Sequence, residues 1–171
     1  TSGGYSRTQL IPANSFYAFT GFPTGDPASQ YNAANLPDAR LFSTGISKKS
    51  IHVYTDNNVP VSVFMHSYTH GNSAGGAMIF PTNTWNTSYA VQAYGNNTNS
   101  GVPNSFFFVI AEEDGTEVEI TPTADILSDA SSNIFAVTDG SPAPIVAYPA
   151  NVPFTITLNR GQVFNAMGSF A

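Results

Sequence analysis

The stretch that decides the fold is Phe106-Phe107-Phe108-Val109-Ile110-Ala111-Glu112-Glu113-Asp114-Gly115-Thr116-Glu117-Val118-Glu119-Ile120-Thr121-Pro122. Its first half is apolar on both faces, which is typical of a central β-strand. Its second half alternates, so Val118 and Ile120 share one face and glutamates occupy the other. Asp114-Gly115 readily adopts the positive φ angles of a tight turn. We therefore predict a hairpin that joins residues 106–112 to residues 116–121.

Three further stretches have the same β character. Ser50–Thr55 alternates apolar and polar side chains, and Val61–His66 repeats the pattern after a turn-like interval. Phe154–Leu158, the turn Asn159-Arg160-Gly161 and Gln162–Phe164 together predict a second hairpin. Many short strands with frequent turn signals indicate an all-β fold. The expected architecture is an antiparallel β-sandwich, or a closely related β-barrel, with long loops.

The organisation expected from the sequence is one β-rich extracellular module that spans residues 1–171. A length of 171 residues suits a single domain. Two stretches rich in turn-forming residues, Gly21–Pro37 and Asp125–Pro144, are predicted to be long loops. Neither end has the pattern of a natural terminus, so the chain is expected to be part of a larger protein.

Composition excludes several classes of function. Only 9% of residues are charged, against about 25% in typical proteins. Five basic residues and a net charge of −6 do not suit binding to nucleic acid or to anionic membranes. No apolar run reaches the length of about 20 residues that crosses a bilayer, so direct membrane insertion is not expected. The absence of cysteine excludes disulfides and thiol catalysis, and it favours a bacterial origin for an extracellular domain of this size.

One motif matches a known catalytic pattern. Gly71-Asn72-Ser73-Ala74-Gly75 fits G-x-S-x-G, the nucleophile elbow of α/β-hydrolases. That elbow requires a strand, a sharp turn and then a helix, whereas Ala77–Pro81 has the pattern of another short strand. We interpret the motif as a Gly/Ser loop between two strands, with no catalytic role for Ser73.

Two other clusters, a pair of histidines and a group of acidic residues, contain residue types that occur in metal or catalytic sites. His66 and His70 are four apart, which on a strand separates their Cα atoms by about 13 Å, too far for joint zinc ligation. The acidic residues beside the Asp114-Gly115 turn could bind Ca²⁺ or act as paired glycosidase carboxylates. They lack calcium-loop spacing, and charges beside a turn usually face water. No catalytic, cofactor or metal residue is therefore assigned, and calcium is kept as a weaker alternative.

Five aromatic residues are candidates for surface contact. Trp85 and Tyr89 could form a platform for stacking sugars, or they could belong to the core. Phe22 and Tyr31 lie in the first predicted loop and Phe135 in the second. Long loops on a rigid sandwich commonly carry function, so these three are the expected anchors, with core packing as the alternative.

From Ser50 onward, the order of segments resembles the N-terminal domain of IgG-Fc-binding protein and its bacterial relatives. The most specific match is the quoted stretch 106–122, which is similar to the family's F-x-V-V-A-x-E-D-x-T-x-V-x-I-x-P segment. Leu158–Phe164 resembles its L-x-x-G-Q-x-Y segment. The resemblance covers about residues 46–168 and implies a β-rich module of large secreted or cell-surface proteins, with no catalytic motif. Relatives continue into a further D-L-T-G segment, whereas this chain stops at Ala171.

These observations favour a non-catalytic, extracellular module of a bacterial cell-surface protein that acts in adhesion or recognition. A structural subunit of an extracellular filament, assembled by strand or edge complementation, is the alternative, and a carbohydrate-active enzyme is a third. The expected partners are other proteins or surface glycans, including further copies of this chain. The expected location is secreted or at the cell surface.

Overall fold

The computed structural model describes most of the chain as two compact units. The larger unit comprises residues 1–51 and 92–171, and the smaller comprises residues 52–91. The expectation of a single module over residues 1–171 stays a prediction. The residues described are 6–20, 22, 39–41, 43–56, 59–69, 73–93, 105–128 and 146–168.

The fold class is all-β, as the sequence predicts. One turn of 3-10 helix lies at Thr82–Thr84, and the described residues contain no α-helix. All strand pairs there are antiparallel, and none of the sheets closes into a barrel. The strands are β1 Gly45–Ser47, β2 Val63–Thr69, β3 Ser73–Ile79, β4 Phe106–Ile110, β5 Thr116–Ile120, β6 Ile126–Leu127, β7 Val146–Tyr148, β8 Phe154–Leu158 and β9 Val163–Met167.

The larger unit has a core between two layers of strands. One layer is a three-stranded sheet in the order β1-β9-β4, and the other includes the pair β5-β8 together with β6-β7, whose Ile126 also bridges to Gly168 directly after β9. Alternate residues of β4, β5, β8 and β9 point into the core, because successive side chains of a strand face opposite sides. This face-to-face arrangement is that of a sandwich. The core side chains include Phe107, Val109, Phe164 and Ala166 from the first layer and Val118, Ile120, Ile126, Ile156 and Leu158 from the second.

An aromatic cluster fills one part of this core. Tyr148 stacks on Phe154 with ring centroids 3.8 Å apart. Phe164 meets both rings edge to face, each at 6.1 Å between centroids. Edge-to-face pairs add stability beyond the burial of their area. Phe164, only 1% exposed, is therefore central to the packing of β9 against β7 and β8.

Both hairpin predictions are wrong about which strands pair with each other. β4 pairs with β9 rather than with β5, and β5 pairs with β8. The two predicted turns instead lie side by side, and together they carry two antiparallel strands from one layer to the other. We call residues 111–115 and 159–162 the paired corner.

Hydrogen bonds between the two turns hold the paired corner together. Ala111 donates its N–H to the carbonyl of Gln162 at 3.2 Å and accepts from the N–H of Gly161 at 2.9 Å. The Asn159 side chain accepts from the N–H of Gly115 at 3.1 Å. The Asp114 carboxylate accepts from the N–H of Arg160 at 2.9 Å. Each turn thus provides hydrogen-bond partners for backbone groups of the other turn. In a hairpin, such bonds would have formed between the two strands of one sheet.

The turn chemistry itself is confirmed. Gly115 and Gly161 have φ angles of 71° and 72°, in the left-handed region that glycine tolerates. Gly161 is the third residue of a turn closed by the N–H of Gln162 and the carbonyl of Asn159, at 2.8 Å. Positive φ at that position is the pattern of a type II turn.

Three other strand predictions need correction. Ser50–Thr55 is not a strand, because its alternation has no neighbouring strand to pair with among the described residues. Ile126–Leu127, inside the predicted loop Asp125–Pro144, forms the buried strand β6. The apolar strand Phe106–Ile110 lies at the end of the sheet order, and β9 is the central strand. Outward-facing Phe106 is consequently 55% exposed.

Candidate contact surface

The smaller unit is built around a two-stranded ribbon. β2 and β3 pair antiparallel from Val63↔Ile79 to Thr69↔Ser73. Directly opposite residues share a face, so Phe64 and Met78 lie together on one side of the ribbon. Met65 and Ala77 lie together on the other side. Apolar side chains thus occur on both faces.

The smaller unit has no buried side chain among the residues whose side chains are described. Phe64 is 68% exposed and Met78 is 49% exposed. An isolated two-stranded ribbon is at best marginally stable in water. Its exposed apolar residues therefore mark this unit as the main candidate for contact with another surface.

A short turn after β3 positions the two predicted aromatic contacts. Pro81 begins one turn of 3-10 helix, in which Thr84 and Trp85 donate their N–H groups to Pro81 and Thr82 at 3.0 Å each. The Thr84 hydroxyl donates to the same Pro81 carbonyl at 2.8 Å. The Trp85 indole N–H donates to the carbonyl of Phe80 at 3.3 Å, which ties the ring back to the end of the ribbon.

Tyr89 closes this turn. Its hydroxyl accepts a hydrogen bond from the N–H of Asn86 at 2.6 Å, and the Asn86 side chain accepts from the N–H of Thr87 at 2.8 Å. Trp85 is 39% exposed and Tyr89 is 68% exposed. We call residues 80–89 the aromatic turn. The indole N–H of Trp85 and the hydroxyl of Tyr89 both form hydrogen bonds within the turn, while much of the surface of the two rings faces solvent.

Of the other predicted contact residues, the structure describes only Phe22. Phe22 is half-buried and belongs to the larger unit. Tyr31 and Phe135 lie outside the described residues. The contact role of all five aromatic residues, Trp85 and Tyr89 included, stays a prediction. The exposed ribbon residues Phe64 and Met78 were missed, although apolar residues on both faces of an uncharged strand were a usable signal.

The acidic cluster is partly engaged in the paired corner. Glu112 forms an ion pair with Arg160 at 3.2 Å, and Asp114 accepts from the backbone of the same residue. Glu117 and Glu119 lie on the exposed face of β5. Within the described residues, no group of three or more His, Asp or Glu side chains is placed to hold a metal ion.

The hydrolase-like motif has the wrong local structure for a nucleophile elbow. Ser73 begins β3 and pairs with Thr69, so Ser73–Gly75 is strand rather than the predicted loop. A strand follows where the elbow requires a helix. His66 lies on β2, and His70 is outside the described residues.

Replacing Ser73 by alanine is expected to leave binding and stability near wild type, within about 0.5 kcal/mol for stability. The measurement is labelling with a fluorophosphonate probe, followed by thermal unfolding of both proteins. Neither protein should be labelled. Labelling of the wild type that disappears in Ser73→Ala would show a reactive serine and contradict the interpretation.

Comparison with known proteins agrees with the resemblance found in the sequence. A family model described as IgGFc binding protein matches residues 75–169, more than half of the chain. The match begins in β3 and contains β4 to β9 with both arms of the paired corner. The expected family-like region before residue 75 stays a prediction. No curated protein and no solved structure matches the chain. No helix in the described residues is long and apolar enough to cross a membrane.

Proposed function

Because the chain belongs to the IgGFc binding protein family, whose members are binding domains rather than enzymes, we propose that it is an adhesion or recognition module. It acts extracellularly, as part of a bacterial cell-surface protein, and binds another protein without chemical turnover. The observation that carries this proposal is the aromatic turn, with the exposed rings of Trp85 and Tyr89 on one short, hydrogen-bonded segment.

The aromatic turn has the properties of a binding anchor. Tryptophan and tyrosine dominate the energetics of many protein interfaces, because their large surfaces are desolvated on contact. Hydrogen bonds from Trp85 and to Tyr89 restrain both side chains before any partner arrives. A pre-organised side chain loses less conformational entropy on binding. Residues 80–89 also contain no charged side chain, so contact does not require the desolvation of an ion.

A filament subunit is the second candidate function. It is favoured by the β2–β3 ribbon, whose strands pair only with each other within the described residues. An unpaired strand edge can accept a strand from another molecule. Such strand addition between copies would be open-ended and would give assemblies that grow with concentration.

Alanine at Trp85 or Tyr89 is expected to weaken binding at least about tenfold, because a central aromatic anchor is worth about 1.4 kcal/mol or more. The chain is immobilised, and binding is measured for an immunoglobulin G Fc fragment and for a mucin glycoprotein before and after removal of its glycans. Phe16→Ala is the matched control, since Phe16 is also an exposed aromatic residue but lies in the larger unit.

Binding of a protein probe that is lost in both variants and kept in the control supports the proposal. Binding that disappears when the glycans are removed would identify a glycan as the partner instead. Unchanged binding in both variants would exclude the aromatic turn. No association with any probe would favour a passive spacer and contradict recognition.

A further inference from the structure

One face of the ribbon shares no residue with the aromatic turn. It consists of Phe64, His66, Gly76 and Met78, and we call it the Phe64 face. Phe64 and Met78 lie directly opposite each other across the strands, as do His66 and Gly76. Phe64 is among the most exposed apolar residues of the smaller unit. Apolar area is stabilised by about 25 cal/mol for each Å² removed from water, so covering this face is favourable.

The charge distribution indicates what covers the Phe64 face. Of the eleven acidic residues only Asp56 lies within residues 52–91, and none of the five basic residues does. A partner with charged side chains would have to desolvate them against a surface that offers no counter-charge. A second copy of this unit brings only Asp56, which is not part of the Phe64 face, and causes little like-charge repulsion, although the whole chain carries a net charge of −6.

The shape of the Phe64 face also suits a second copy. Within these two cross-strand pairs, Phe64 and Met78 make one end bulky, and Gly76 leaves the other end low. A Cβ atom at Gly76 would stand 3.8 Å from Cδ2 of His66, so the histidine ring borders this low region. When two such faces meet about a two-fold axis, the bulky end of each lies over the low end of the other. This is the self-complementary contact that two-fold dimers require.

We propose that the Phe64 face is a homophilic contact, through which two copies of this chain associate face to face as a dimer. This contact does not depend on the aromatic turn or on the protein it binds. With two cross-strand pairs, the Phe64 face is about 7 Å long and about 10 Å wide. An area this small gives weak association. The association becomes effective where many copies are held at high local concentration, as on a surface.

Phe64→Arg is expected to weaken self-association at least about tenfold, because it places two like charges in the dimer contact. Association of the full chain is measured by sedimentation velocity up to several hundred micromolar. The matched variant is Met65→Arg, which places the same charge on the opposite face of the same strand and should associate like wild type. Circular dichroism of both variants checks that the strands are kept.

Wild-type protein that stays monomeric throughout would overturn the proposal. Equal weakening by both arginine variants would also overturn it, because the contact would then not belong to one face. Assemblies that grow beyond a dimer would favour strand addition instead. Phe64→Arg should leave probe binding by the aromatic turn unchanged, and Trp85→Ala should leave the dimer unchanged, so each proposal can fail alone.

The cysteine-free sequence allows a direct second test. A single cysteine introduced by Met78→Cys can be cross-linked only to another molecule. A short bismaleimide is expected to give a product of twice the 18.1 kDa chain mass, faster than with Phe16→Cys in the larger unit. Equal rates for the two variants would show random collision and would contradict a dimer through the Phe64 face.

Discussion

Replacing Phe164 by alanine is expected to lower the free energy of unfolding of the larger unit by about 3–5 kcal/mol. Phe164 lies on the central strand β9 and is only 1% exposed. Its ring packs against both Tyr148 and Phe154, so truncation removes two edge-to-face contacts and leaves a cavity. Typical domains are stable by only 5–15 kcal/mol, so this single change removes a large part of the total.

Urea unfolding followed by far-UV circular dichroism measures this loss. The single tryptophan, Trp85, lies in the smaller unit, so its fluorescence would report mainly on that unit. Phe106→Ala is the matched control, because it makes the same chemical change in the same sheet at a residue that is 55% exposed. The control should lose about 1 kcal/mol or less. Similar losses in the two variants would mean that Phe164 does not lie in the core.

Gly161→Ala is expected to destabilise the larger unit by about 2 kcal/mol, because left-handed backbone costs an L-residue about 1–2 kcal/mol. Gly161 has a φ of 72°, and a Cβ atom there would stand 3.3 Å from the hydroxyl oxygen of Ser50. That hydroxyl donates to the Gly161 carbonyl at 2.5 Å, so its ability to move is restricted. The substitution therefore strains the paired corner through its backbone conformation and through a close contact between the new Cβ atom and the Ser50 hydroxyl.

Two further variants separate these effects. Gly161→Asn adds the same Cβ atom, but asparagine tolerates positive φ better, so it should cost less than Gly161→Ala. Gly75→Ala is the control, because a Cβ atom there meets nothing within 4 Å. It should leave stability nearly unchanged. If Asn and Ala at residue 161 were equally costly, backbone strain would not be the cause.

The sequence predicted the fold class well because β-propensity and turn chemistry are local properties. Gly115 and Gly161 both adopt the positive φ angles that glycine tolerates in such turns. Turn chemistry does not determine which strands pair, however. Ala111 and Gly161 hydrogen-bond across fifty residues of sequence, and this long-range choice turned two predicted hairpins into one paired corner.

Periodicity misled the prediction where a strand depends on its neighbours. Ser50–Thr55 alternates correctly, yet it is not a strand in the structure. Ile126–Leu127 is too short to show any period, but it is buried and pairs with β7. Phe106–Ile110 has apolar residues on both faces, which predicted a central strand, whereas its outer face is exposed. An alternating pattern therefore indicates which side chains of a segment could share a face, but it does not indicate whether the segment pairs with another strand.

The candidate surface was predictable only in part. The sequence offers Trp85 and Tyr89 as a platform for stacking sugars, with core packing as the alternative, and the structure places both on one exposed segment. Apolar residues on both faces of the uncharged strand β2 were a usable signal for a contact surface, but they do not determine whether Phe64 and Met78 are exposed or buried. Burial depends on what packs over a face, and this information is not local.

The strand pairs of the larger unit have a consequence for how its sequence can change. Leu127 pairs with Val146, and Ile120 pairs with Phe154, so the chain leaves and re-enters this layer at adjacent points. Because Leu127 and Val146 hold the ends of the connection from β6 to β7 together, residues added there are expected to cost about 0.6 kcal/mol of loop-closure entropy for each doubling of the number of residues between them. A foreign peptide inserted there should be displayed by the domain while β5 and β8 keep their register.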